Sequence, residues 1–237
     1  KIPVEDHTDL QYWRLRTIDF TSKLIKKKIQ GKCLEIGAGR GLASAYLSTL
    51  KSVDKVFSLD YSISSLEVLM PTFQSTMPNV NIKKIHRVLG TYNKLKEKNF
   101  NFIYAFGALH NSKDLKITLK SCYNGLKPGG YFISSDMCLP ANSTIHEEKF
   151  LTNSINKTSQ SQYNKKIRWK DSNDYFWSLY NYIFYAKEAG FRVYPYIFDQ
   201  NGLKEIPKKI SDCFLGASLK VFYPFYLKKR YDRLVLV

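Results

Sequence analysis

The chain has 237 residues, of which 44% are hydrophobic, 15% aromatic and 24% charged. That is enough to bury a full core as one decorated α/β domain, so no disulfide or metal staple is needed. Lysine and arginine outnumber aspartate and glutamate 37 to 20, for a net charge of +17. Such a field attracts anions: nucleic acid, acidic lipid headgroups or phosphorylated substrates. A lysine-rich host composition explains the same number, because the lysines are spread along the chain. The four cysteines (Cys33, Cys122, Cys138, Cys213) are scattered, which excludes the usual zinc spacings. Free thiols fit a reducing cytoplasm. No apolar run approaches the ~18 residues of a membrane helix, and no signal segment is expected from the start of the sequence.

Residues 8–29 read as an amphipathic helix, with Leu10, Trp13, Thr17, Phe20 and Leu24 on one side and Gln30-Gly31 ending it. Lys32–Ile36 is a short strand, Gly41–Leu50 a helix, and Lys55–Asp60 a second strand. Ser64–Gln74 is a helix that Pro71 kinks or ends. A third strand is expected over 81–89 and a fourth over Phe102–Phe106. Asp114–Leu126 is a helix with Leu115, Leu119, Cys122 and Leu126 on one face. Lys127-Pro-Gly-Gly130 breaks it before a fifth strand, Tyr131–Asp136. Steady alternation of strand and helix predicts a Rossmann-like, doubly wound, mostly parallel sheet.

From 137 to 172 the pattern dissolves into a polar stretch, with a short helix near His146–Leu151. It reads as a lid-like, substrate-side insertion. An aromatic helix follows over Asp174–Ala189, capped by Ser172 or Asn173 and ended by Gly190. Phe191–Phe198 is a strand, and the last strand ends in Leu234-Val-Leu-Val237. The whole is expected to be one domain over 1–237, with residues 1–31 as a helical cap.

"CLEIGAGRG" (33–41) sits where the first strand turns into the first helix of the sheet. Gly37 turns the chain, Gly39 admits a ligand to the backbone, and Gly41 lets the helix pack. Its GxGxG spacing departs from the dinucleotide GxGxxG, since position 42 is Leu42, and the Gly-Lys-Ser/Thr of a P-loop is absent. Glu35, two residues before the turn, would repel phosphate and suits a cationic amino acid. S-Adenosylmethionine carries an ammonium and a sulfonium. Asp60, ending the second strand, can hold both ribose hydroxyls.

Together with "VFSLDYS", "FNFIYAFGALHNSKD" and "LKPGGYFISSD", this stretch resembles the class I S-adenosylmethionine-dependent methyltransferases. Among them it looks most like the ubiquinone/menaquinone type of small-molecule methyltransferase. The likeness covers roughly 32–136, and "AKEAGFRVYPYIF" fits the family's penultimate helix and strand. It implies Glu35, Gly37, Ala38, Gly39 and Gly41 around the methionine part of the cofactor, Asp60 on the ribose and Tyr61 against adenine. Phe106 and Gly107 are implied on the methionine side. Two departures stand out. The family's Gly-Asp after the third strand is here Gly90-Thr91, so Thr91 or backbone groups are expected to hold adenine. The second histidine of the family's "LHH" segment is Asn111.

A sulfonium methyl is already electrophilic, so holding a nucleophile in line is the main task. A base is needed for a hydroxyl or a protonated amine. The candidates are His110, His146 and Asp136, each of which could instead be structural. Tyr12 and Trp13 of the first helix could close over the site on the substrate side. The expected acceptor is a small, anionic or sugar-containing metabolite methylated on oxygen or nitrogen. An RNA methyltransferase is the second reading, weakened by the absence of Asn/Asp-Pro-Pro-Tyr and Pro-Cys motifs. A non-catalytic accessory protein of this fold is the third. Oligomeric state is not legible.

Overall fold

The computed structural model describes residues 9–139, 143–153, 175–199, 202–205 and 233–236. Its helices are α1 (Asp9–Leu24), α2 (Leu42–Thr49), α3 (Met70–Thr76), α4 (Leu115–Gly125), α5 (145–153) and α6 (Leu179–Ala189). Its strands are β1 (Gly31–Ile36), β2 (Val53–Asp60), β3 (Ile85–Leu89), β4 (Phe100–Phe106), β5 (Leu126–Met137), β6 (Pro195–Asp199), β7 (Gly202–Glu205) and β8 (Arg233–Leu236). The chain divides into two compact units. The first holds Lys1–Phe106 and Ser121–Ser135 with the last two residues; the second holds Gly107–Lys120 and Asp136–Val235.

The first unit is a parallel sheet in the order β3-β2-β1-β4-β5 with helices on its faces, the Rossmann-like class I methyltransferase fold. Strand β4 is almost wholly apolar, as a central parallel strand buried on both faces must be, and β1 is buried from Cys33 to Ile36. Leu15 and Ile18 of α1 and Leu42, Ala43 and Leu47 of α2 pack on Cys33, Phe102, Tyr104 and Phe106. Burial pushes the thiols of Cys33 and Cys122 up to about 12, so both behave as small apolar groups. The chain runs outward through β2 and β3, then crosses back to place β4 on the other side of β1. That reversal leaves a crevice at the carboxyl end of β1, where α/β sheets bind ligands.

Several elements depart from the sequence expectation, each for a local reason. The first helix ends at Leu24, because Lys26 is left-handed (φ 50°) and the Ser22 hydroxyl donates to the Lys27 carbonyl. Pro71 does not end its helix. It lies in the first turn of α3, and the preceding turn, Ser65–Leu69, widens to a π-turn in which the Met70 N–H reaches the Ser65 carbonyl. The third strand starts late, at Ile85, after a 3₁₀ turn over Ile82–Lys84. Lys127-Pro-Gly-Gly130 does not interrupt β5. Leu126 already pairs with Phe100, and the extra residues are absorbed as a bulge with Gly129 at φ 74°.

In the second unit, α6 begins at Leu179 rather than Asp174. Ser178 is extended and its side chain accepts the Asn181 N–H, while Gly190 ends the helix as expected. The Leu139 N–H donates to the Trp177 carbonyl, and the Leu179 N–H to the Leu139 carbonyl. Pairing of Tyr196–Asp199 with Gly202–Glu205 makes β6 and β7 a hairpin that the sequence reading missed. Helix α5 matches the short helix expected in the insertion; the rest of 137–172 lies largely outside the described residues.

Tyr104 is fully buried, and its hydroxyl has no partner among the described residues. Burial, then the nearby Cys33, drive its ionisation well above the ordinary phenol range. Since an unpaired buried hydroxyl costs stability, Tyr104→Phe is expected to leave the urea unfolding free energy unchanged or to raise it by about 1 kcal/mol. A loss of that size would show that the hydroxyl has a partner.

Candidate active site

At the carboxyl end of β1 the backbone passes through the left-handed region at Gly37, Gly39 and Gly41 (φ 60°, 52° and 69°). Two of these glycines are required for different reasons. A Cβ on Gly41 would lie 2.7 Å from Met70 Cγ, so close packing forbids it. A Cβ on Gly39 would meet nothing within 4 Å. The space above Gly39 is open, and backbone strain and ligand access explain the glycine there.

Glu35 is 4% exposed and faces the start of α2. Its Oε2 accepts from the Ser44 N–H (2.8 Å) and hydroxyl (2.5 Å), and its Oε1 from the Ala43 N–H (3.3 Å). Ser58 of β2 extends the network, its hydroxyl donating to the Ser44 hydroxyl at 2.6 Å. The carboxylate is thus held by orphan donors and the positive end of a helix. Ser44 and Ser58 were not singled out from the sequence. A hydroxyl in the first helical turn after a strand-end acid was the available signal.

Asp60 is 6% exposed at the end of β2. Its Oδ2 accepts from the Gly39 N–H at 2.7 Å and its Oδ1 from the Ser62 N–H at 2.9 Å. The acid therefore locks the glycine turn to the next strand. Tyr61 follows it, 48% exposed. The loop after β3 is tied in through the Gly90 N–H and the Asp60 carbonyl, and Thr91 is exposed on it. Ala38 is buried against Leu66 and Met70. Phe106 is 3% exposed and packed in the core, so at that position only backbone is offered to a ligand.

A second constellation lies within the other unit. Asp136, 1% exposed in its side chain, accepts from the Ala108 N–H (2.9 Å) and Leu109 N–H (2.6 Å) through Oδ2. Its Oδ1 lies 2.6 Å from His110 Nδ1. Asn111 Nδ2 is 3.3 Å from His110 Nε2. Gly107, at φ 62°, begins the turn that brings these N–H groups round. His146 is exposed on α5. Tyr12 and Trp13 lie on α1, and their side chains fall outside the described residues.

Residues 34–134 match the family model of the methyltransferase domain. The fold is shared with the YcgJ protein of Bacillus subtilis (TM-score 0.57, 18% identity, 78% of this chain and 71% of that one). It is shared with Haemonchus contortus phosphoethanolamine N-methyltransferase 2 in complex with phosphomonomethylethanolamine and S-adenosylhomocysteine (0.58, 14%, 94% and 51%). It is shared too with a chain of the Haloferax volcanii complex that contains the Trm112 methyltransferase activator (0.56, 15%, 98% of both). No curated protein matches the sequence. Residues 34–134 therefore carry a methyltransferase domain, and S-adenosylmethionine is its cofactor. The cradle suits that cofactor: the space over Gly39 is open, the turn beneath it carries no phosphate-binding lysine, and carboxylates flank it. Among the described residues no helix is long and apolar enough to cross a membrane.

Both Glu35 oxygens accept backbone donors, so Glu35→Gln turns an NH₂ toward at least one N–H. The expected cost is about 1–3 kcal/mol of unfolding free energy, read by urea denaturation. A change below a few tenths of a kcal/mol would mean that the helix does not depend on this acid.

Proposed function

We propose that the methyltransferase acts on an oxygen or nitrogen of a small anionic metabolite, with His110 as the proton acceptor and Asp136 as the residue that positions it. The His110–Asp136 pair carries this reading. A carboxylate on Nδ1 fixes the imidazole as the Nδ1–H tautomer and leaves Nε2 as the basic nitrogen, where the Asn111 amide donates to it. Asp136 already accepts from two backbone N–H groups. That suits it to hold and orient the histidine rather than to take up a proton itself. His146, on an exposed helix position, has no such orienting carboxylate described around it.

S-Adenosylmethionine supplies the electrophilic methyl group on a sulfonium. The protein's own part is to seat it and to hold the acceptor. In the proposal the Gly37–Gly41 backbone and Asp60 bind the cofactor, with Tyr61 and Thr91 on the adenine side. Glu35 serves the methionine end indirectly, by fixing the turn. Tyr12 and Trp13 are assigned to the acceptor. The net charge of +17 favours an anionic acceptor. A structural relative that binds a phosphorylated amine is compatible with that. The quinone-type small-molecule group remains our placement within the family. The absence of a disulfide at Cys33, Cys122 and Cys138 among the described residues favours a cytoplasmic setting. An accessory partner is a second possibility to test, by analogy with the Trm112 complex.

Calorimetric titration tests the cofactor half. S-Adenosylmethionine and S-adenosylhomocysteine are expected to bind the wild type, and Asp60→Ala to weaken both at least ~10-fold, about the worth of a charge-assisted hydrogen bond. Undiminished binding in Asp60→Ala would remove the acid from the ribose. With an acceptor found by screening phosphorylated and carboxylated amines and alcohols, His110→Ala should lower kcat by about 10²-fold or more. Asp136→Asn should lower it less and shift the pH–rate profile, with cofactor affinity intact. An unshifted profile in Asp136→Asn would make that residue a loop brace alone.

A further inference from the structure

Lysines that look scattered in the sequence are gathered by the fold onto one edge of the sheet. In a parallel sheet every strand is entered from the same side, so all the entering segments share the amino edge. Lys26, Lys27 and Lys28 precede β1 and are exposed; Lys51 and Lys55 lie at the start of β2 and are exposed. Lys83 and Lys84 precede β3, and Lys94, Lys96 and Lys98 precede β4. Lys127 enters β5. Within these segments only Asp54 and Glu97 oppose them, and Glu97 is engaged by Lys32 at 2.6 Å. By contrast, the loops leaving β1 and β2 carry a single cation, Arg40, while the loop leaving β3 is the same segment that brings Lys94, Lys96 and Lys98 to β4.

These segments are fastened to one another, so the edge is a continuous surface. Lys32 and Lys55 are register partners on neighbouring strands, and such strands lie about 4.8 Å apart. The Gly31 N–H donates to the Ser52 carbonyl (2.8 Å), and the Ser52 hydroxyl to the Ile29 carbonyl (2.7 Å). Lys84 Nζ reaches the Leu50 carbonyl at 2.8 Å. Lys32 Nζ reaches the Lys98 carbonyl at 3.0 Å while lying over the Phe57 and Phe100 rings.

The geometry points to this amino edge as a docking surface for a nucleic-acid phosphate backbone, single-stranded RNA in particular. Lysine ammonium groups are point charges, suited to phosphate contacts without base recognition, and these segments contain no arginine to read bases. A bilayer would need a row of exposed apolar side chains. Among the described residues of these segments, Ile82 is the large one well exposed, at 69%. The surface is independent of the methyl acceptor, since it lies at the opposite end of the strands from the glycine turn.

The test is fluorescence anisotropy of the full chain with a labelled single-stranded RNA of about 20 nucleotides across a salt series. The wild type should bind with a steep negative slope of log K against log salt. Lys51→Glu, Lys55→Glu, Lys83→Glu and Lys96→Glu together should weaken binding at least ~10-fold and flatten the slope by about 0.7 for each phosphate no longer neutralised. A control of equal charge, with Lys113, Lys149, Lys187 and Arg192 each changed to Glu, should stay within about threefold, as expected for loss of long-range attraction alone. If both sets weaken RNA equally, bulk charge is responsible and the proposed edge is wrong. Absence of RNA binding by the wild type overturns the proposal. So does capture by vesicles of about one-third phosphatidylserine without RNA binding. S-Adenosylmethionine affinity and the melting transition report folding; should the Glu set unfold, the corresponding Lys→Gln set is held to the same criterion.

Discussion

One buried carboxylate organises the cofactor cradle. Glu35 is almost wholly removed from water and supplied with donors only when α2 starts where it does. Burying a carboxylate without partners would be prohibitive. The helix N-terminus supplies orphan N–H groups and a favourable dipole, and the Ser44 hydroxyl adds a third donor. Ser58 then links the same network to β2. Strand, turn, helix and second strand therefore form as one set, and the five-residue turn from Gly37 to Gly41 has its ends fixed. Only with that fixed can Gly39 present its N–H to Asp60 and keep its outer side open.

The device recurs. Asp136 collects the N–H groups of Ala108 and Leu109, and Glu148 on α5 accepts from the Ser178 N–H at 2.7 Å and from the Asn181 side chain at 2.8 Å. In each case a buried acid satisfies a loop or helix start that would otherwise leave donors unpaired. The chemical consequence differs with what remains. Glu35 spends its oxygens on scaffold. Asp60 gives one oxygen to the Gly39 N–H and the other to the Ser62 N–H, and Asp136 keeps one oxygen for the His110 imidazole. A carboxylate already engaged by several donors is a good orienter, and on that ground we propose histidine rather than aspartate as the proton acceptor.

Much of this was legible from the residues. The glycine spacing, the acid before it and the acid ending the second strand mark the switch point of the sheet from the amino-acid order alone. What could not be read was governed by pairing across distance. Pro-Gly-Gly looks like a strand breaker until Leu126 is seen to pair with Phe100, which makes the same residues a bulge. Pro71 looks like a helix stop until the turn before it widens to spare the missing N–H. An aromatic run from Tyr175 looks helical, but Trp177 and Ser178 are held extended against Leu139. Glu35 reads naturally as a ligand-facing acid, since nothing local announces that Ser44, nine residues on, will bring both of its hydrogen-bonding groups to it.

The lysines are the clearest case of a pattern hidden by linear order, and helix direction explains why they sit where they do. Each crossover helix runs back against the strands, so helix N-termini gather at the carboxyl edge of the sheet and helix C-termini at the amino edge. The macrodipole then favours carboxylates at the first and cations at the second. Glu35 at the start of α2 shows one half of this, and Lys84 on the Leu50 carbonyl, at the end of the same helix, shows the other. A single lysine suffices to satisfy one helix end. Lys27, Lys51, Lys55 and Lys96 are exposed beyond that requirement, and like charges crowded on one edge repel one another and cost stability. The helix dipole accounts for the sign of the amino edge; the charge beyond it is what we propose an RNA backbone neutralises.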